Sequence, residues 1–223
     1  MSVPSRSRRT RGEVTPRSSP ITVGCPVVSW VEVLGFVSGA ACVWLATRQN
    51  VWNFPVGIAN NLLFLWLFAD AGLYANAGLQ LVFAALAALG WVWWVRGGPD
   101  RGALGVTRTP RWVWPAGAAV VAATTAGLTV LLSATEGSAA PFWDALTTSS
   151  SLVAQVMLGR KWLGSWSVWI GTDIVLVGLY ASQGLVLTAV LYAGFIGLCA
   201  LGWRDWRRAL APGAVPAPVA VPA

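Results

Sequence analysis

The chain has 223 residues, 56% of them hydrophobic and only 10% charged, with fifteen basic residues against eight acidic ones and a net charge of +7. Soluble domains carry about 25% charged residues, and a soluble core of this size has no means of hiding so much apolar surface, so the composition excludes a soluble globular protein and indicates an all-α integral membrane protein. The basic residues lie in the tails or at the ends of apolar runs, as orientation signals do, which argues against a nucleic-acid partner; three scattered cysteines and no histidine leave no zinc site of the usual type, and no cofactor is expected.

In chain order, residues 1–26 form a basic tail with Arg6, Arg8, Arg9, Arg11 and Arg17 among Ser and Pro, a composition that predicts disorder. Cys25 follows Thr22-Val23-Gly24, but no apolar signal core precedes it, so it is not a lipoprotein cleavage site. A transmembrane domain over 27–208 comes next, with seven apolar segments at about 27–46, 52–69, 73–95, 112–133, 142–159, 163–181 and 184–203. Each is near the ~17–25 residues that span a bilayer. They are continuous runs, not alternating ones, and so predict helices and not a barrel. A Pro/Ala tail over 209–223 is expected to be disordered.

Seven spans place alternate loops on one side. Arg48, Arg96, Arg101, Arg108, Arg111, Arg160, Lys161, Arg204, Arg207 and Arg208 all fall on that side. The positive-inside rule makes it cytoplasmic, with the C-terminus inside and the N-terminus external. The arginines of the N-terminal tail oppose this orientation, but most lie far from the first span.

Three sequence elements recur. Trp52 through Gly57 reads W-N-F-P-V-G and Trp166 through Gly171 reads W-S-V-W-I-G; Leu73-Tyr74-Ala75 returns as Leu179-Tyr180-Ala181; and Gly90–Trp94 and Gly202–Trp206 share G-W-x-x-W. These predict two parallel three-helix repeats, about 27–95 and 142–206, joined by a linker helix at about 112–133: a 3+1+3 arrangement. Transporters built this way bind substrate at the repeat interface near mid-depth. Against this stands the general abundance of Trp and Gly in membrane helices.

Asp173 lies in the middle of the sixth span, where an aspartate costs about 2.5–3.5 kcal/mol; a cavity, a partner or a ligand has to offset that cost. Trp166, Trp169 and Asp173 fall at i, i+3 and i+7 on one helix face, and Tyr180 extends the stripe. Asn53 and Asn60 share a face of the second span, with Pro55 placed to open the helix between them, while Gln80 and Gln155 add amides and Trp52 an indole. These nine residues are the candidate substrate-binding set; none is catalytic and none a metal ligand. Aromatic faces, amides and one negative charge suit a planar, polar, cationic solute. The blander readings are interface anchoring for a tryptophan near a span end, helix–helix hydrogen bonding for Asn60 and Gln155, and a structural bridge for Asp173.

Over residues 28–208 the sequence resembles the PnuC family of vitamin transporters. The resemblance rests on Trp52-Asn53-Phe54-Pro55-Val56-Gly57-Ile58-Ala59-Asn60, on Leu73-Tyr74-Ala75 with Gln80 and Gly90-Trp91, and on a block from Pro141-Phe142-Trp143-Asp144 through Gln155, Arg160-Lys161, Trp166-Ser167-Val168-Trp169, Asp173 and Tyr180. It implies a fold like that of the SWEET sugar transporters, assembly as a homotrimer, and facilitated diffusion of nicotinamide riboside across the bacterial inner membrane. A cytoplasmic kinase then traps the solute by phosphorylation. Some relatives of this type carry thiamine or riboflavin. Outside transport, a seven-helix membrane sensor or structural protein explains the spans but not the recurring elements, and an enzyme or nucleotide-driven pump lacks its motifs.

Overall fold

The computed structural model describes residues 30–133 and 140–211. The N-terminal tail and the C-terminal tail from residue 212 lie outside the described residues, and so does Cys25. Seven α-helices make up the described chain: α1 Trp30–Thr47, α2 Asn53–Asp70, α3 Tyr74–Arg96, α4 Val113–Ser133, α5 Pro141–Gly159, α6 Ser165–Ser182 and α7 Val186–Ala209. Among the described residues there is no strand beyond a single bridge between Thr107 and Trp162.

By length and hydropathy alone, α3, α4 and α7 qualify as complete membrane spans. The other helices reach 18 or 19 residues, and α2, α5 and α6 carry the Asn, Gln, Ser and Asp side chains that interrupt their apolar character. Helix α7 runs past the expected end at 203, because Arg204, Asp205, Arg207 and Arg208 continue the helix as it leaves the hydrocarbon. Asp205 lies 3.1 Å from Arg204 and 3.9 Å from Arg208. Pro55 does not open α2. It is the third residue of that helix, where a missing N–H costs no intrahelical bond.

Consecutive helices pack as α1–α2–α3 and α5–α6–α7; α4 packs on α5, and α1–α7 and α3–α5 contacts join the two groups. The C-terminal ends of α1, α3, α5 and α7 meet at one end of the bundle, where the Trp94 indole donates to the Leu158 carbonyl at 3.2 Å and the Trp206 indole to the Ala46 carbonyl at 3.1 Å. We call this the arginine-rich end, since Arg48, Arg96, Arg160 and Arg208 follow these helices or close them. The α3–α4 connection crosses it in an ordered path, with Thr107 N–H donating to Lys161 O and Leu163 N–H to Thr107 O, both at 3.0 Å.

One constant offset in numbering relates α1–α3 to α5–α7. It takes Asn53 to Ser165 and Asp70 to Ser182, the first and last residues of α2 and α6. It takes Gly72 (φ 74°) to Gly184 (φ 76°), and Gln49 (φ 55°) to Lys161 (φ 51°). The left-handed backbone at Gln49 and Lys161 is unusual for residues with a Cβ, and it ends α1 and α5 in the same way. Of the three recurring elements, only G-W-x-x-W obeys this offset. Leu73 precedes α3 whereas Leu179 lies in the last turn of α6. Trp52 precedes α2, whereas Trp166 is the second residue of α6; the counterpart of Trp166 is Phe54. The two local motifs match as strings of letters but sit at different heights in the bundle.

Candidate functional site

A cavity of about 370 Å³ opens between α1–α3 and α5–α7, within the ~300–1,000 Å³ typical of small-molecule sites. Asn53, Asn60, Gln80, Gln155, Trp166, Trp169 and Asp173 line it. Helix α6 supplies the last three at i, i+3 and i+7, which the 3.6-residue period places on its inward face.

Asp173 is 4% exposed, and the Cys199 thiol of α7 points at its carboxylate at 3.8 Å. Among the described residues no basic side chain pairs with it; the ion pairs recorded are those of Asp205. The carboxyl group thus stands in the wall of an aromatic cavity. Trp169 is partly buried beside it.

The amides divide into two kinds. Asn60 donates to Gly35 O at 2.9 Å and to Ser38 Oγ at 2.7 Å, which ties α2 to α1 at the cavity wall. Asn53 donates to Asn50 O at 2.7 Å, closing the turn before α2. Gln80 and Gln155 line the cavity and make no side-chain hydrogen bond within the described protein, so their donors and acceptors are open to a ligand.

Two expected residues lie elsewhere. Trp52 is 47% exposed and outside the cavity lining, because it stands one residue ahead of α2, off the inward face. Tyr180 is also outside the lining; it stacks on Tyr192 with ring centroids 5.3 Å apart and supports that residue from behind. Trp166 lines the cavity but is only 1% exposed, wedged against Gly202 and Trp206, so it is as much a packing residue as a contact.

Sequence reasoning missed Asn61, Phe64, Phe83, Tyr192 and Phe195, as well as the cavity-facing position of Cys42 and Cys199. The G-W-x-x-W offset was the available signal. It takes Asn61 to Asp173, Gln80 to Tyr192, Phe83 to Phe195 and Phe54 to Trp166, and every one of these lines the cavity.

Over residues 29–208 the chain matches the family described as the nicotinamide mononucleotide transporter. It is 26% identical over 212 residues to the nicotinamide riboside transporter PnuC of Escherichia coli K12, covering 84% of this chain and 89% of the relative. It is 27% identical over 183 residues to the riboflavin/roseoflavin transporter RibM of Streptomyces davaonensis, covering 80% of this chain and 85% of that one. A crystal structure of the vitamin B3 transporter PnuC superposes with a TM-score of 0.62 at 22% identity over 82% of each chain, which establishes a shared fold. The helical bundle, its inward polar face and the match over 29–208 lead to one conclusion: the chain belongs to the nicotinamide mononucleotide transporter family, and it is a multi-pass membrane transporter, not an enzyme.

Proposed function

We propose that this chain carries nicotinamide riboside across the bacterial inner membrane by facilitated diffusion, with Asp173 and Trp169 as the principal contacts of its pyridinium ring. The observation that carries this reading is the Asp173 carboxylate, buried in a cavity wall without a basic partner among the described residues and one helical turn from an indole face. An indole attracts a cation by about 0.5–2 kcal/mol, and a carboxylate in a low-dielectric wall adds to that attraction. The open amides of Gln80 and Gln155, the side chains of Asn53 and Asn60, and the ring of Trp166 line the remaining volume, where a ribose and a carboxamide find partners. Trp52 and Tyr180 act at one remove, at the cavity's margin and behind Tyr192.

The helical halves α1–α3 and α5–α7 serve as two parallel repeats with α4 as linker; the constant offset and the exchange of α1–α7 with α3–α5 contacts support that arrangement. The arginine-rich end faces the cytoplasm and the N-terminus the exterior, in keeping with the positive-inside rule. The working assembly is a homotrimer, and a cytoplasmic kinase traps the solute without having to touch the transporter. Transport equilibrates the solute and does not concentrate it, a reading supported by Asp173 being the one carboxylate in the cavity lining among the described residues.

Riboflavin is the second reading, favoured by the likeness to RibM. It is neutral and leaves the Asp173 charge without a counterpart. Uptake of labelled nicotinamide riboside, thiamine and riboflavin into proteoliposomes free of kinase decides between them. Nicotinamide riboside should equilibrate fastest. Riboflavin faster than nicotinamide riboside overturns the substrate, and accumulation driven by a proton or sodium gradient overturns facilitated diffusion.

A further inference from the structure

Beneath the cavity at the arginine-rich end lies a second aromatic layer. Trp94 and Trp206 are fully buried, their rings 5.9 Å apart. Phe54 meets Trp94 edge-on at 4.9 Å, and Trp166 meets Trp206 edge-on at 5.2 Å. The cavity is floored here by Phe54, Trp166, Ala46 and Leu158, and the indoles beneath hold that floor shut.

Each indole reaches out of its own group of helices. Trp94 of α3 donates to the last-turn carbonyl of Leu158 on α5, and Trp206 of α7 to that of Ala46 on α1. Each carbonyl also accepts a backbone N–H from the turn after its own helix, Lys161 on Leu158 at 2.9 Å and Gln49 on Ala46 at 3.0 Å, so the indole bond is a second one, made between the groups and not within them. Close approach at Gly90, where a Cβ would meet the Phe54 ring, and at Gly202, where one would meet the Trp166 ring, lets both aromatic pairs seat without a gap. On the far side Lys161 lies 4.3 Å over the Trp94 ring and closes the plug from outside.

We propose that the crossed indole bonds of Trp94 and Trp206 are the gate that closes the cavity at the arginine-rich end, and that they break together when the solute leaves there. A solute passing from the cavity to this end has to part α3 from α5 and α7 from α1, and these two bonds bridge those two seams. The gate rests on the reading of the chain as a nicotinamide riboside transporter, but its test needs no solute.

Native Cys42 lines the cavity and serves as reporter in full-length protein carrying Cys25→Ser and Cys199→Ala, reconstituted in sealed vesicles of defined orientation. A membrane-impermeant maleimide is added from the arginine-rich side. Trp94→Phe with Trp206→Phe keeps a smaller aromatic ring at each position and removes both donors. The loss of two net hydrogen bonds corresponds to about a tenfold shift in a closed–open equilibrium, so labelling should quicken by about tenfold, and by about threefold in either single variant. Unchanged labelling in a double variant that still melts cooperatively overturns the gate. Should the double variant not fold, unchanged labelling in both single variants overturns it equally. Faster labelling in the double variant, together with no binding of nicotinamide riboside by the parent protein, would instead overturn the substrate and leave the gate standing.

Discussion

The thiol of Cys199 on α7 lies 3.8 Å from the carboxylate of Asp173 on α6, so this group of the cavity meets a weak donor and, among the described residues, no cation. A strong internal partner would compete with a bound solute for that group; a thiol competes weakly. Asp173→Asn should therefore keep the fold, because it removes an expensive buried charge while retaining shape and hydrogen bonding. Calorimetric titration should give a larger affinity loss for nicotinamide riboside than for a neutral analogue of the same shape. Equal losses for both ligands would remove Asp173 from the site as a counter-ion.

Trp169 stands one turn from Asp173 on the same cavity wall. Trp169→Ala should weaken nicotinamide riboside binding by about 1–2 kcal/mol, the range of a desolvated cation–π contact, and Trp169→Phe should weaken it less. Titration of the two variants checks the order, and an alanine variant that binds as tightly as the phenylalanine variant contradicts the stacking role.

Trp166 should respond differently, since its ring is packed on Gly202 and Trp206. Trp166→Ala empties a filled core position, and losses of about 3–5 kcal/mol attend such truncations. Gly202→Ala introduces a Cβ at 2.6–2.7 Å from Trp166 ring atoms and should destabilise through overpacking. Both variants should melt well below the parent in detergent, while Trp169→Ala should not. A Trp166→Ala protein with parental melting temperature would mean that this ring is a ligand contact only.

Lys161 lies in the turn between α5 and α6, 2% exposed, and burial pulls its ammonium from the ordinary 10.5 down to about 8. The folded protein disfavours the charged form, so between pH 8 and 10.5 the unfolded chain binds more protons. Stability from this group should be flat below about pH 8 and rise as pH climbs through that window. Differential melting of the parent and Lys161→Met between pH 7 and pH 10 measures it. Subtracting the two curves should leave a positive slope above pH 8; parallel curves would place the ammonium in water.

Much of this molecule was legible in its sequence. Continuous apolar runs of bilayer length forced seven helices with every end but the last within three residues of those observed, because hydrocarbon accepts no unsatisfied backbone. The α6 face of Trp166, Trp169 and Asp173 was legible too, since i, i+3 and i+7 are neighbours on any helix. Heights and partners between helices were not. W-N-F-P-V-G and W-S-V-W-I-G match as strings, yet Trp52 precedes its helix and faces outward while Trp166 sits inside the next turn and is buried. Asn60 lines the cavity as its face predicts, but the commitment of its donors to Gly35 and Ser38 was not legible. Sequence periodicity fixes which residues share a face of one helix; which side chain of a second helix meets that face, and at what depth, is decided by packing between helices far apart in the chain. The pairing of Trp206 with Ala46 and of Trp94 with Leu158 belongs wholly to that second kind of information.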